Sequence, residues 1–246
     1  MKKILSRVRR AVDDYHMIAD GDRIAVGVSG GKDSLTLLCA LAGLRRFYPN
    51  KFELAAVSLD MGYPGVSFDG VKQLCESLDV EYVVRKTDIA EVVFQVRQET
   101  NPCSLCAKMR RGGVNDLAVE LGCNKVALGH HNEDVLETFF LSLFYEGRLN
   151  CFSPVTYLSR RDIHVIRPMV YVPEGEIKGY ARRQALPIVH NPCPMDGHSR
   201  RQDMKEFISQ KTKEDKFFKT KIMHAISTGL PSWIRENAKN REGEEQ

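Results

Sequence analysis

Residues 29 to 34 read Ser-Gly-Gly-Lys-Asp-Ser, behind the β-branched run Arg23 to Val28 and ahead of the helical stretch Leu35 to Leu41. A strand, a glycine turn and a helix start make an anion cradle. Gly30 and Gly31 let backbone N–H groups approach a charged oxygen, Ser29 and Ser34 bring hydroxyls, and the helix N-terminus brings positive potential. A phosphate chain, ATP above all, is the natural guest, with Lys32 and Asp33 beside its reacting centre. The loop is not a Walker A motif. Val26 stands where the first glycine should be, and Asp33, not Ser or Thr, follows the lysine.

A second group of residues has metal or redox chemistry in it. Cys103 and Cys106 form a Cys-x-x-Cys opening a helix, with Asn101-Pro102 before it and Lys108, Arg110 and Arg111 after it. A helix N-terminus and nearby cations favour thiolates. The pair alone fits half a zinc site, a redox dithiol or two ligands of an iron–sulfur cluster. Cys193 lies in Asn191-Pro192-Cys193-Pro194, an echo of Asn101-Pro102-Cys103, and three such ligands suit a cluster with one open iron. Cys39, Cys75 and Cys123 sit in apolar contexts and read as core; Cys151 lies in a loop.

Gly129-His130-His131-Asn132-Glu133-Asp134 closes a strand where ligands of open α/β sheets bind. Carboxylates here, Asp134 among them, suit Mg²⁺ held against ATP phosphates, with His130 or His131 near the reacting centre. Gly129 and Asp60, each near a strand end, join the nucleotide-binding set.

These groups need a frame. Helical spacing to about Asp20, strands at Arg23 to Val28, Phe52 to Asp60, Glu81 to Lys86, Lys125 to Gly129 and His164 to Arg167, and intervening helices near Val66 to Leu78, Cys103 to Leu121, Glu133 to Phe144 and Pro173 to Ala185 describe a chain in which helix repeatedly follows strand. The expected fold is α/β, an open, mostly parallel twisted sheet flanked by helices. The region around Pro154 reads as loop, and Leu186 to Val189 as a short extended piece. We divide the chain into an N-terminal helix (1–20), an ATP-binding domain with an inserted Cys-x-x-Cys helix (21–190) and a helical, lysine-rich C-terminal extension (191–246) carrying the third cysteine. The acidic tail from Glu242 reads as disordered.

The chain has 246 residues, 43% of them hydrophobic, enough for one substantial core. Its longest apolar run is too short to cross a bilayer, and no signal segment follows Met1-Lys2-Lys3, so a cytoplasmic protein is expected. In a reducing compartment the seven cysteines do not suggest a disulfide framework. The net charge of +4 is modest, but arginines come in pairs at 9–10, 45–46, 110–111, 160–161, 182–183 and 200–201, suited to a phosphate backbone.

The loop at 29 to 34 resembles the pyrophosphate loop of the N-type ATP pyrophosphatases. With Pro102-Cys103-Ser104-Leu105-Cys106, Arg110-Arg111-Gly112, Ala127-Leu128-Gly129-His130-His131, Ile166-Arg167-Pro168 and Cys193, roughly residues 20 to 210 resemble the tRNA 2-thiocytidine synthetase family. That family usually has Asp-Asp where this chain has Glu133-Asp134, and commonly a second Cys-x-x-Cys where this chain has Cys193-Pro194-Met195-Asp196. The resemblance implies an ATP-dependent tRNA sulfurtransferase, in which the C2 oxygen of an anticodon-loop cytidine is adenylated and replaced by sulfur. It implies ATP, Mg²⁺ and a [4Fe-4S] cluster on Cys103, Cys106 and Cys193 as cofactors. The partners implied are tRNA and a sulfur donor such as a cysteine desulfurase, with a homodimer possible and no membrane. Three rivals share features of the sequence: a lysidine-synthetase-like ligase, a cluster-free persulfide relay and a zinc-stabilised RNA-binding module.

Overall fold

The computed structural model describes residues 1–97, 102–190, 192–193 and 200–234. The expectations for Asn101, Asn191, residues 194–196 and the acidic tail lie outside that set.

Strands β1 (Asp22–Gly27), β2 (Phe52–Asp60), β3 (Glu81–Lys86), β4 (Lys125–Ala127), β5 (Val155–Leu158) and β6 (Ile163–Ile166) form one sheet in the order β3-β2-β1-β4-β6-β5. All neighbours are parallel except β5 and β6. The expected mostly parallel α/β sheet is therefore present, with one strand more than the sequence suggested. β5 falls in the stretch assigned to loop. Its pattern is weak because it is a half-exposed edge strand, and it pairs antiparallel with β6 through a turn whose Asp162 has φ 51° and accepts a 2.7 Å hydrogen bond from Tyr157.

Strand order reverses on either side of β1, so the loops leaving β1 and β4 open the crevice at which such sheets bind ligands. Helix α2 (Lys32–Arg45) leaves β1 and is buried almost all round, from Ser34 to Leu44. Such a helix needs cover on both sides. The sheet supplies one. The other comes from α1 (Lys2–Asp14), which turns Ile4, Val8, Ala11 and Val12 inward, and from α7 (Glu174–Arg183). Between them run α3 (Asp69–Ser77), the short α4 (Ile89–Glu91) with its π-turn, α5 (Pro102–Glu120) and α6 (Asn132–Leu141).

The C-terminal helices α8 (Arg200–Glu214) and α9 (Phe218–Gly229) dock on α6 through aromatic contacts: Phe140 lies 5.2 Å from Phe207 and 5.9 Å from Phe218, ring centre to ring centre. Beyond α9, Trp233 is fully buried, meets Tyr15 edge-on at 5.9 Å and donates from Nε1 to the Phe152 carbonyl at 3.0 Å. One side chain thus ties the chain's end to its first helix and to the loop before β5. Trp233→Ala is expected to cost about 3–5 kcal/mol, read as a lowered denaturant midpoint, because it empties a buried site and orphans a carbonyl.

Candidate active site

The loop at 29–34 holds itself in shape. Ser29 N donates to Ser34 Oγ at 3.2 Å, Ser34 Oγ donates to the Gly31 carbonyl at 2.9 Å, and the two serine hydroxyls lie 3.2 Å apart. The hydroxyls expected to face the ligand thus also brace the turn. Gly30 has φ +82°, and a Cβ there would sit 2.6 Å from Val189. The extended piece before residue 190 explains this crowding, since Val189 N donates to the Gly30 carbonyl at 3.0 Å. It clamps the loop's outer side.

Gly129 is the matching feature on β4's side. A Cβ there would lie 3.1 Å from the backbone of Asp33 and Ser34, so only glycine lets the strand end come this close to the start of α2. Two residues on, His131 caps α6, its N–H donating to Asp134 at 2.9 Å. Its Nε2 lies 3.7 Å from Asp33 Oδ1 and 3.5 Å from Asp134 Oδ2, and its Nδ1 lies 3.5 Å from Glu133. Burial opposes the imidazolium, but the three carboxylates outweigh it and raise the pKa. Of the two histidines, His131 is the one brought against the phosphate loop.

Lys32 and Asp33 meet at 2.8 Å, and Lys32 also reaches Glu174 on α7 at 3.2 Å. Burial disfavours the ammonium, yet these carboxylates hold its pKa above normal. Asp33 Oδ1 is buried without a hydrogen-bond partner among the described residues, with His131 Nε2 3.7 Å away. Asp134 accepts from His131 N and pairs with Arg201. Glu133 has other partners. It accepts from Glu174 N at 2.7 Å and Lys219 at 2.8 Å, and despite burial these partners hold its pKa down at about 2. It caps α7 and anchors α9.

Arg201 was not legible as a site residue. From α8 it reaches Asp134 at 3.2 Å and Glu137 at 3.3 Å, so a residue read as one of an RNA-tracking pair lies over the acidic cluster. Arg45 is also engaged, donating to the carbonyls of Leu78 and Asp79 at 3.1 and 2.9 Å. Asp60 turns its carboxylate to Gly62 N at 3.0 Å, shaping the bend after β2. That bend presents Tyr63 to the cysteines.

Cys103 is exposed, Cys106 buried and Cys193 between the two. Burial raises the Cys106 pKa, Arg110 lowers it, and the thiols of Cys193 and Cys103 raise it further, so all three cysteines lie within electrostatic reach. Tyr63 interacts with both Cys193 and Cys106. Ile89, Val93, Leu59 and Met61 form an apolar wall around Cys106. Among the described residues, no three His, Cys, Asp or Glu side chains stand at metal-binding spacing. The donor set itself suits a thiophilic group: three thiols from two segments, of which Cys106 is set in an apolar wall. Cys39, Cys75 and Cys123 are buried, as expected for core residues, and Cys151 joins them.

The fold and this loop define a class, the ATP-binding PP-loop proteins: residues 2–212 match the model of the PP-loop domain. Within it, the chain is 41% identical over 236 residues to a tRNA-cytidine(32) 2-sulfurtransferase of Geobacter sulfurreducens, covering 95% of this chain and 92% of that one. It is 36% identical to the protein of that name from Citrifermentans bemidjiense, covering 97% and 95%. The chain belongs to the tRNA 2-thiocytidine synthetase family. A solved structure of similar fold is the U34-tRNA thiolase NcsA from Methanococcus maripaludis with its [4Fe-4S] cluster, with TM-score 0.77, 24% identity and coverage of 92% of this chain and 77% of that one.

Glu174 links the parts of this site, bonding to Lys178 at 3.0 Å and Lys205 at 3.2 Å besides Lys32. Burial opposes its charge, but the lysines hold its pKa down at about 2. A depressed carboxylate pKa contributes stability that is present above about pH 4.5 and lost as pH falls toward 2. Glu174→Gln is expected to lower stability at pH 7 by about 2 kcal/mol, less than the full displacement because the lysines are partly solvated. The difference from wild type should shrink between pH 4.5 and 2, followed by denaturant melts at each pH.

Proposed function

We propose that this protein is an ATP-dependent tRNA sulfurtransferase that replaces the C2 oxygen of cytidine 32 with sulfur. The observation that carries the reading is a PP-loop domain together with three thiols within electrostatic reach of one another, in a chain with relatives of that name. An oxygen at C2 is a poor leaving group. Attack of that oxygen on the α-phosphorus of ATP releases pyrophosphate and makes AMP the leaving group; sulfur then forms the C2–S bond as the C2–O bond breaks.

The chain's residues have distinct parts in this. Lys32 and the loop N–H groups neutralise phosphate charge, Gly30, Gly31 and Gly129 allow the close approach, and Ser29 and Ser34 hold the turn. Asp33 and Asp134 would hold Mg²⁺, with His131 keeping both carboxylates in place. His130, placed beside the same strand end, is proposed to face the RNA. Asp60 shapes the wall near the thiols. Cys103, Cys106 and Cys193 would hold a [4Fe-4S] cluster, which supplies one open iron as a Lewis acid for incoming sulfur. That sulfur would come from a donor such as a cysteine desulfurase.

Nucleoside mass spectrometry of tRNA incubated with the anaerobically reconstituted protein, ATP and sulfide tests the reading, with 2-thiocytidine as the expected product. Asp33→Ala should lower RNA-dependent AMP release about 10²–10³-fold while iron binding is kept. Cys193→Ala should lose iron and thiolation yet still bind ATP. Full thiolation by Cys193→Ala, or one tightly held tetrahedral zinc in active protein, would turn the reading toward a persulfide relay.

A further inference from the structure

Beside the phosphate loop, at the carboxyl ends of β4 and β6, a second polar group stands without the partners its chemistry calls for. Arg167 follows β6. Its Nη1 donates to the Ser153 carbonyl at 2.6 Å and Thr156 Oγ1 at 3.0 Å, but its Nε is buried with no hydrogen-bond partner among the described residues. No carboxylate stands among the groups that perturb Arg167. Burial brings its pKa down to about 10, with the Arg111 charge acting in the same direction and the Cys151 thiol opposing it. His130 Nδ1 is likewise buried and unpartnered. Burial and then the Arg167 charge push His130 down to about 4, against the opposing pull of Asp134.

Phe152 holds the two in register, with its ring centre 4.9 Å from that of His130 and the Arg167 guanidinium carbon 5.1 Å above it. Phe152 is itself tied by its carbonyl to the buried Trp233. Buried donors left unpaired are costly, and so is the approach of two guanidinium groups. Both costs vanish when an anion is bound. An arginine fork matches the tetrahedral oxygens of a phosphate.

We propose that Arg167 and Arg111, with His130 beside them, form a seat for an RNA backbone phosphate next to the target nucleotide. The inference rests on the tRNA reading above and adds to it the residues that fix the substrate's register. Two placements favour RNA over the phosphates of ATP. Those phosphates are matched by Lys32 and the loop at 29–34, and Arg111 is exposed on α5, about one and a half turns beyond Cys106, where a ligand lying along the surface reaches it. The seat also lies on the path between the two chemistries. His130 adjoins His131, which faces Asp33, and Arg111 shares its helix with Cys103 and Cys106.

The test measures binding of an anticodon-hairpin RNA by fluorescence anisotropy, using cluster-loaded protein. The RNA carries either natural linkages or neutral methylphosphonates flanking cytidine 32. Wild-type protein should bind the neutralised RNA about ten-fold more weakly. Arg111→Gln and Arg167→Gln should bind the natural RNA about ten-fold more weakly, with a salt dependence shallower by about 0.7 per lost contact, and should no longer distinguish the two RNAs. Arg167 also braces β5, so Arg111→Gln, an exposed position, decides the matter if Arg167→Gln unfolds. Variants that discriminate as wild type does would overturn the proposal. So would a loss of ATP affinity in Arg111→Gln with RNA binding unchanged, which would assign the seat to the nucleotide. Failure of the functional reading is seen separately, as absence of 2-thiocytidine from wild-type reactions, because hairpin binding requires no sulfur transfer.

Discussion

The site depends on the absence of one side chain. At Gly129 the end of β4 comes so close to the backbone of Asp33 and Ser34 that even a Cβ would be crowded at 3.1 Å. That approach joins the two loops flanking the point where strand order reverses, and it brings His131 to 3.7 Å from Asp33. The placement of the loop at 29–34, of Asp33 and Asp134 and of the His131 ring between them follows from it. A side chain at this position would push the β4 end from the α2 N-terminus, and the ligand crevice would widen where it needs to be tight.

Around this contact, acids and bases are placed so that the C-terminal helices close the site. Glu174, Glu133, Asp134 and Glu137 line one wall, and Lys205, Arg201 and Lys219 reach them from α8 and α9. Glu174, Glu133 and Glu137 are too buried to stand alone, and each cation comes from a helix held mainly by Phe140, Phe207 and Phe218. Much of the basic C-terminal segment is therefore engaged within the protein. Lys211 and Lys221 also pair locally, with Glu214 and Asp215.

The thiols stand apart from this polar wall. Cys106 is set among Leu59, Met61, Ile89 and Val93, and Tyr63 reaches the cysteines from a bend that Asp60 shapes. A dry shell of this kind keeps water from soft ligands and strengthens the few electrostatic contacts that remain, such as that of Arg110 with Cys106. His130 and Arg167 stand at the ends of β4 and β6, and Arg111 stands on the helix of Cys103 and Cys106.

The sequence by itself determined those features whose cause is local. Gly30 and Gly31 after a β-branched run and before a helix require a cradle, the alternation of strand and helix requires a mostly parallel sheet, and Pro102-Cys103-x-x-Cys106 requires a thiol pair at a helix start. Local spacing carries no information on which distant side chain neutralises which. Only the tertiary structure decided that His131 and not His130 faces Asp33, that Glu133 caps α7, that Arg201 covers Asp134, and that Val189 clamps Gly30. It also decided that residues 155–158 form an edge strand, since pairing with β6 outweighs a weak intrinsic pattern. Burial creates the demand for each of these partners, and burial is a property of the packed chain.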